Sequence, residues 1–131
     1  MFRRKIIAID GPSGAGKSTV ARALAEKLGY IYIDTGAMYR AVAWKAKKDG
    51  IPLKEEYLKP LCSSIKITLE RVSGAMRIFV NGKDITDDIR TPGIGMTASE
   101  VSALSCVRER LLELQRRIGS NGGVVMEGRD I

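Results

Sequence analysis

The sequence predicts an α/β fold, with a parallel sheet as its core and a small antiparallel sheet inserted in the middle of the chain. Three observations support this prediction. The first 50 residues alternate between short apolar runs and segments with helical periodicity. A glycine-rich loop joins the first apolar run to the first helical segment. Between about residues 62 and 90, apolar and polar residues alternate on either side of turn dipeptides, as is typical of antiparallel hairpins.

The composition is that of one soluble globular domain. The chain has 131 residues, 44% of them hydrophobic, and a formal net charge of +7. No apolar run approaches the roughly 20 residues of a membrane helix, and the N-terminal segment lacks the apolar region and cleavage site of a secretory signal. We therefore expect a cytoplasmic protein, a monomer, without a membrane partner. The basic residues are scattered rather than clustered in one run, which favours small anionic ligands over nucleic acid.

Two residue types limit the chemistry further. The chain contains no histidine, which excludes Ser-His and Cys-His mechanisms and His-ligated zinc. Its two cysteines, Cys62 and Cys106, are far apart in sequence and form no CxxC motif. They are expected to be reduced structural thiols, although the sequence does not exclude a disulfide.

The opening segment reads as strand, glycine loop and helix. Residues 5–9 form an isoleucine-rich run that predicts a buried strand of a parallel sheet. A helix is predicted from Gly16 to a stop at Gly29. Its apolar face is predicted to carry three residues at helical spacing: Val20, Leu24 and Leu28.

A second strand and helix follow. Residues 30–33 predict a short strand, and Asp34 and Thr35 resemble N-cap residues of a helix that ends near Asp49. One face of this helix is predicted to carry Met38, Val42 and Ala46.

The middle of the chain predicts a short helix and then hairpins. The helix is expected at residues 54–61, strands at 65–69 and 77–80, and a third short strand at 83–85. Breaks at Ser73-Gly74 and Asn81-Gly82 separate the strands.

The last third predicts two helices and a returning strand. Residues 87–93 are interpreted as a connection and 97–104 as a helix. A longer amphipathic helix, closed by Gly119, is marked by Val107, Leu111, Leu114 and Ile118. Residues 124–126 again have the pattern of a buried strand, which ends at Glu127.

The glycine-rich loop carries the most specific motif. Residues 11–18 match GxxxxGK[ST], a phosphate-binding loop, placed between a strand and a helix as its mechanism requires. Backbone N–H groups and the helix N-terminus hold phosphates, Lys17 reaches the transferring group, and the Ser18 hydroxyl can hold Mg²⁺. The candidate ATP-binding residues are Gly11, Pro12, Ser13, Gly14, Ala15, Gly16, Lys17, Ser18 and Thr19. By itself this motif indicates only nucleoside triphosphate binding.

Two further segments end strands at the edge where ligands of parallel sheets bind. Residues 34–40 offer a hydroxyl at Thr35 and a guanidinium at Arg40, although a helix cap and a solvated arginine explain the same pattern. Residues 127–130, Glu-Gly-Arg-Asp, are equally consistent with a loop salt bridge and an anion clamp.

Taken together, these segments resemble the bacterial cytidylate kinase family over the whole 131 residues. The resemblance rests on four segments: IDGPSGAGKST, DTGAMYR, DDIRTPGIGMTASEVSALSCVRE and EGRDI. It implies a P-loop nucleoside monophosphate kinase fold of three layers, in which ATP, assisted by Mg²⁺, phosphorylates CMP or dCMP to the diphosphate.

The resemblance also implies site residues. Lys17, Arg40 and Arg129 would be catalytic, and Arg40 and Arg129 would hold the CMP phosphate, as bidentate guanidinium groups can. Ser99, Arg108 and Asp130 would read the cytosine edge, which presents a donor beside an acceptor. Hydroxyls near the acceptor would come from Ser13 and Thr35, the latter where related chains often carry serine.

The resemblance further implies a division of the chain and a continuation beyond it. Residues 1–36 and 105–131 would form the P-loop core, and residues 37–104 the monophosphate-binding region. In the family, further parallel strands and an arginine-rich lid follow the last motif, at which this sequence stops. It is either part of a longer kinase or a naturally short chain, and alone we expect it to lack turnover. The alternatives are another small-molecule kinase, such as shikimate kinase, or a non-catalytic nucleotide- or RNA-binding module.

Overall fold

The computed structural model describes residues 5–11 and 16–128. The chain divides into two compact units, one formed by Met1–Thr35 with Gln115–Ile131 and the other by Gly36–Leu114. In chain order the helices and strands are β1 (Ile6–Asp10), α1 (Lys17–Leu28), β2 (Ile31–Asp34), α2 (Thr35–Lys48), α3 (Glu55–Ser64), β3 (Ile67–Val72), β4 (Ala75–Val80), β5 (Lys83–Asp84), α4 (Pro92–Val101), α5 (Ser105–Ile118) and β6 (Val124–Gly128). A short 3₁₀ helix at Asp88–Arg90 precedes α4.

The first unit contains a parallel sheet, as the sequence predicts. Its order is β1-β6-β2, so the last of the described strands lies between the first two. The central strand is buried, with Val124 and Val125 fully inaccessible, because it pairs on both edges. This sheet places the carboxyl ends of all three strands side by side.

The first strand differs from the prediction. The run of isoleucines indicated burial on both faces, yet exposure alternates along β1 and Ile6 is 57% exposed. Within the described residues β1 is an edge strand that pairs only with β6, and one of its faces is uncovered. The uninterrupted apolar run of β1 therefore does not correspond to a strand that is buried on both faces.

Helix α1 has the predicted glycine boundaries but not the predicted apolar face. Gly16 and Gly29 both have positive φ, at 74° and 68°, and the Gly29 N–H closes the last turn. Val20 is 59% exposed and Leu28 43% exposed, and the buried side chains are instead Ala21 and Ala25. The helix contacts β6, and small buried residues such as Ala21 and Ala25 allow a close approach.

The second unit holds the predicted antiparallel sheet, in the order β3-β4-β5. Both of its hairpins turn through two residues with positive φ, Ser73-Gly74 and Asn81-Gly82. Such turns match the twist of the flanking strands. The predicted insert at about residues 62–90 thus contains a sheet between Ile67 and Asp84.

Two helices of this unit have other boundaries than predicted. Helix α3 continues to Ser64, three residues past the predicted end, so β3 begins later than expected. Helix α4 occupies Pro92–Val101, where a connection and then a helix at 97–104 were predicted. Its N-cap is Thr91, whose hydroxyl accepts a hydrogen bond from Ile94 N at 3.4 Å, with proline as the first helical residue.

The amphipathic faces of α2 and α5 are confirmed. Met38, Val42 and Ala46 are fully buried on α2, and Val107 and Leu111 on α5.

Among the described residues, no helix combines the length and the apolar character needed to cross a membrane.

The two cysteines are close in space. Cys62 on α3 and Cys106 on α5 are both buried and free, with their Sγ atoms 4.0 Å apart. Burial is the main cause that raises the pKa of Cys62, to about 12, so the thiol stays protonated. The prediction of reduced thiols agrees with this arrangement.

Candidate phosphate-binding site

The site begins where β1 ends and α1 starts. The Gly11 N–H donates to the carbonyl of Gly128 at 3.2 Å, which ties the start of the loop to the end of the central strand. Gly16 precedes α1 with a φ of 74°, a conformation that other residues rarely adopt. Lys17 and Ser18 then occupy the first turn of α1, where free N–H groups and the helix dipole favour anions. Residues 12–15 of the motif lie outside the described residues.

A buried carboxylate lies against this first turn. Glu127, near the end of β6, is 2% exposed. Its Oε1 accepts hydrogen bonds from Ser18 Oγ, at 2.6 Å, and from the hydroxyl of Tyr32. Lys17 Nζ lies 3.4 Å from Oε2, which has no hydrogen bond among the described residues. The carboxylate is therefore held by a cation and two hydroxyls from α1 and β2.

Electrostatics keep this carboxylate ionised. Burial alone would raise the pKa of Glu127, but the hydrogen bonds from Ser18 and Tyr32 and the charge of Lys17 outweigh it, and the pKa is lowered. For Tyr32, burial first and the hydrogen bond to Glu127 second raise the pKa well above its usual value. The phenol is thus a permanent donor and the carboxylate a permanent acceptor near neutral pH.

Thr35 lies next to the same strand end. It is buried, and its hydroxyl donates to the backbone carbonyl of Glu127 at 3.0 Å. This bond joins the beginning of α2 to the end of β6.

The donor set suits the chemistry that the sequence predicts. Lys17 and the α1 N-terminus provide positive charge for phosphates. The oxygens of Ser18 and Glu127 are ligands of the type that Mg²⁺ prefers, and the Glu127 Oε2 atom has no competing hydrogen bond. Mg²⁺ sites of phosphoryl-transfer enzymes often use one or two protein oxygens and complete the shell with phosphates and water. The residues present therefore fit this ion.

The predicted acceptor residues fall into two groups. Ser13, Arg129 and Asp130 lie outside the described residues. Arg40 on α2 and Ser99 on α4 are both exposed, and the Ser99 hydroxyl donates to the carbonyl of Gly95 at 3.3 Å.

Arg108 is exposed near the start of α5, and its Nη1 donates to the carbonyl of Ser102 at 3.1 Å. The positive charge of Arg108 acts on the phenol of Tyr39. Burial raises the pKa of Tyr39, and the guanidinium of Arg108 opposes that rise. Arg108 is the residue for which the family resemblance implies base recognition, and no hydrogen bond to cytosine-reading partners is part of the described geometry.

Sequence reasoning missed the role of Glu127 and Tyr32. Glu127 was noted only as part of a charged segment, and Tyr32 only as part of a strand. The available signal was the position of Glu127 at the end of a buried strand, where a carboxylate requires partners.

Comparison with known proteins places these features in a family. The cytidylate kinase family model matches residues 7–131. The chain is 52% identical over 130 residues to a cytidylate kinase of Geobacter sulfurreducens, covering 98% of this chain and 56% of that protein. It is 54% identical over 127 residues to a cytidylate kinase of Pelotomaculum thermopropionicum, covering 95% and 56% respectively.

A third relative has a different organisation. The bifunctional pantoate ligase/cytidylate kinase of Synechococcus is 44% identical over 133 residues, which covers all of this chain and 28% of that protein. The chain spans about half the length of the two cytidylate kinases that it matches. With a family match over almost its entire length and a P-loop between β1 and α1, this chain belongs to the cytidylate kinase family.

Proposed function

We propose that the protein transfers the γ-phosphoryl group of ATP to CMP or dCMP, forming ADP and the nucleoside diphosphate. Membership of the cytidylate kinase family supports the choice of substrates. The observation that carries the proposal is the cluster of Lys17, Ser18 and Glu127 at the N-terminus of α1, beside the carboxyl ends of the parallel strands. A reaction that consumes ATP also supports a location in the cytoplasm.

On the donor side, residues 11–19 bind the phosphates of ATP. The Lys17 ammonium turns from Glu127 to the transferring phosphoryl group, and the helix N-terminus adds partial positive charge. Ser18, with Glu127 beside it, would hold Mg²⁺. When bound, this ion neutralises charge on the phosphate oxygens.

On the acceptor side, we assign the monophosphate to residues 37–104 and to the segment after β6. Arg40 and Arg129 hold the phosphate of CMP, and the exposed position of Arg40 leaves its guanidinium accessible to an anion. Ser99, Arg108 and Asp130 read the cytosine, while Ser13 and Thr35 supply hydroxyls near the acceptor phosphate.

This division of labour requires no general base. Phosphoryl transfer is accelerated mainly by positioning the two substrates in line and by stabilising charge on the transferring group. Lysine, arginine and hydroxyl side chains perform both tasks, in agreement with a chain that has no histidine.

The test is a coupled ADP-release assay on the full-length protein with ATP and Mg²⁺. CMP and dCMP should be phosphorylated with higher kcat/KM than UMP, AMP and shikimate. Preferred turnover of shikimate would refute the proposal in favour of another small-molecule kinase. Absence of transfer to any acceptor, together with salt-sensitive binding of a short RNA, would refute it in favour of a binding module.

Base recognition gives a sharper prediction. Replacing Asp130 with Asn exchanges an acceptor-only group for one that both donates and accepts. The ratio of kcat/KM for CMP over UMP should then fall by roughly ten-fold or more, the effect of one lost polar contact. Asp88→Asn, on an exposed part of the 3₁₀ helix, is the matched control. An unchanged ratio in Asp130→Asn would remove this residue from base reading.

A further inference from the structure

Two buried thiols face each other between α3 and α5. Cys62 Sγ donates a weak hydrogen bond to Cys106 Sγ, and the two sulfur atoms are 4.0 Å apart. Cys62 is 4% exposed and Cys106 is 9% exposed, and both are free. Both lie in the second unit, and neither thiol has a role in the proposed function.

Hydrogen bonds hold the two helices together on both sides of this pair. At the start of α5, the Glu55 carboxylate accepts from Ser105 Oγ, at 2.6 Å, and from Cys106 N, at 2.7 Å. Further along α5, Arg110 Nη2 donates at 3.0 Å to the carbonyl of Ile65, the residue that follows α3. These bonds join α5 to the first residue of α3 and to the residue after its end, so the two thiols are kept opposite each other.

The distance between the sulfur atoms is close to what a covalent bond requires. A disulfide has a sulfur–sulfur distance of about 2.05 Å, so the atoms must approach by about 2 Å. Cys62 lies near the end of α3, and Cys106 is the second residue of α5. Helix ends deform more easily than helix centres, so the bond can form while α3 and α5 remain packed together.

We propose that Cys62 and Cys106 are an oxidation site, at which a peroxide converts the two thiols into a disulfide that fixes α5 on α3. The two residues are 44 positions apart. A cross-link over this separation restricts the unfolded chain and so stabilises the second unit. It also protects both sulfurs, because a disulfide can be reduced again, whereas oxidation to a sulfonic acid is irreversible.

The reaction begins at Cys106, which is the more exposed of the two. Its thiolate attacks one oxygen of hydrogen peroxide, the O–O bond breaks, and the leaving hydroxide takes up the thiol proton as water, so that a sulfenic acid remains. The sulfur of Cys62 then attacks Cys106 Sγ. The S–S bond forms, the S–O bond breaks, and hydroxide leaves with the Cys62 proton as a second water. The two thiols lose two electrons, which the peroxide gains.

Burial sets the rate of this reaction. It is the main cause that raises the pKa of both thiols, and the thiolate is the form that attacks. At Cys62 the charge of Glu55 adds to this rise, and the charge of Arg110 opposes it. The pair therefore stays reduced under ordinary conditions and is oxidised during prolonged exposure to peroxide.

The experiment treats the folded, nucleotide-free, full-length protein with hydrogen peroxide, blocks the remaining thiols by alkylation and analyses tryptic peptides by mass spectrometry. Because trypsin does not cleave between Lys59 and Pro60, Cys62 lies in the peptide of residues 55–66, and Cys106 lies in that of residues 91–108. These two peptides should be recovered joined, with a mass two hydrogens below their sum. Dithiothreitol should separate them.

Two methionines report on the treatment itself. Met96 lies in the same peptide as Cys106 and is 71% exposed, so its sulfoxide shows that the peroxide has acted. Met38 is fully buried and should stay unoxidised as long as the protein is folded. Free thiols or sulfinic acids at the two cysteines, in protein with oxidised Met96, would overturn the proposal. A cross-link found only where Met38 is oxidised would overturn it as well.

Thermal unfolding tests the stabilising effect. The oxidised protein should have a Tm about 5 °C higher than the same sample after dithiothreitol, which reduces the disulfide but not methionine sulfoxide. Cys62→Ala is the matched control, because it keeps Cys106 but cannot form the bond, and its two samples should have the same Tm. Equal Tm values for the two wild-type samples, with the cross-link present in the first, would overturn the stabilising role.

Discussion

Replacing Lys17 with Met would remove the ammonium that faces Glu127 and retain most of the apolar stem. The two side chains are 13% and 3% exposed, and their charged atoms are 3.4 Å apart. At an effective dielectric constant of 20, the gross attraction at this distance is about 5 kcal/mol. Desolvation of both charges offsets part of it, and Glu127 keeps its bonds from Ser18 and Tyr32 in the variant. We therefore expect a net loss of roughly 1–3 kcal/mol in the free energy of unfolding at pH 7.

The pH dependence of this loss identifies its cause. In the folded protein the pKa of Glu127 lies below the ordinary value of 4.5 for a glutamate, so the carboxylate stabilises the fold above that pH. The contribution is lost as pH falls through the lower, folded value. Without Lys17 the pKa of Glu127 is lowered less. The gap in stability between wild type and variant should thus be widest near neutral pH and should narrow below about pH 4.

The assay is urea denaturation of the full-length, nucleotide-free protein at a series of pH values. Lys27→Met, on the last turn of the same helix and exposed, is the control and should change stability by less than about 0.5 kcal/mol. The variant at position 17 should also lose turnover while it keeps CMP binding. Wild-type stability of Lys17→Met at neutral pH, or a loss of equal size at every pH, would refute the reasoning.

Two other changes test the second unit, by denaturation of the full-length protein. Leu111→Ala removes a fully buried side chain of α5 and should lower the free energy of unfolding by about 2–5 kcal/mol. The control is Leu112→Ala at a neighbouring position that is 46% exposed, and it should change that free energy by less than about 0.5 kcal/mol. Equal effects of the two variants would contradict the packing of α5. The hydrogen bond from Arg77 lowers the pKa of Asp84 to about 2. The stabilisation that the ionised Asp84 gives to the fold should therefore be present above about pH 4 and lost as pH falls towards 2. Asp84→Asn should flatten this part of the plot of stability against pH. An identical profile for the Asn variant would show that the ion pair does not couple to folding.

Local signals predicted most of the fold. The glycines at 11 and 16, together with the flanking strand and helix, defined the phosphate loop, because their backbone conformations are set within a few residues. The turns of the antiparallel sheet were also predictable, because each depends on a dipeptide with positive φ. Periodicity succeeded for α2 and α5, whose apolar faces are buried. It failed for α1, because alanines, rather than the larger Val20 and Leu28, provide the packed face.

The parts that the sequence did not predict depend on strand register and distant pairing. Tyr32 and Glu127 are 95 positions apart, and only the alignment of β2 with β6 brings them into contact. Cys62 and Cys106, 44 positions apart, meet for a similar reason, since α3 and α5 pack together. No pattern within a window of residues encodes such contacts, so the donors to Glu127 became visible only in three dimensions.

The position of β6 has a consequence for how the chain acquires its structure. In the order β1-β6-β2, the strands β1 and β2 are separated by β6. Each of them pairs with this strand, which begins at residue 124. During synthesis the parallel sheet therefore cannot close until nearly all of these residues have left the ribosome, whereas the hairpins of β3, β4 and β5 can form from neighbouring residues much earlier. Contacts of such long sequence separation make folding slow. The Lys17, Ser18 and Glu127 cluster would thus form after these hairpins, in the step in which β6 pairs with β1 and β2.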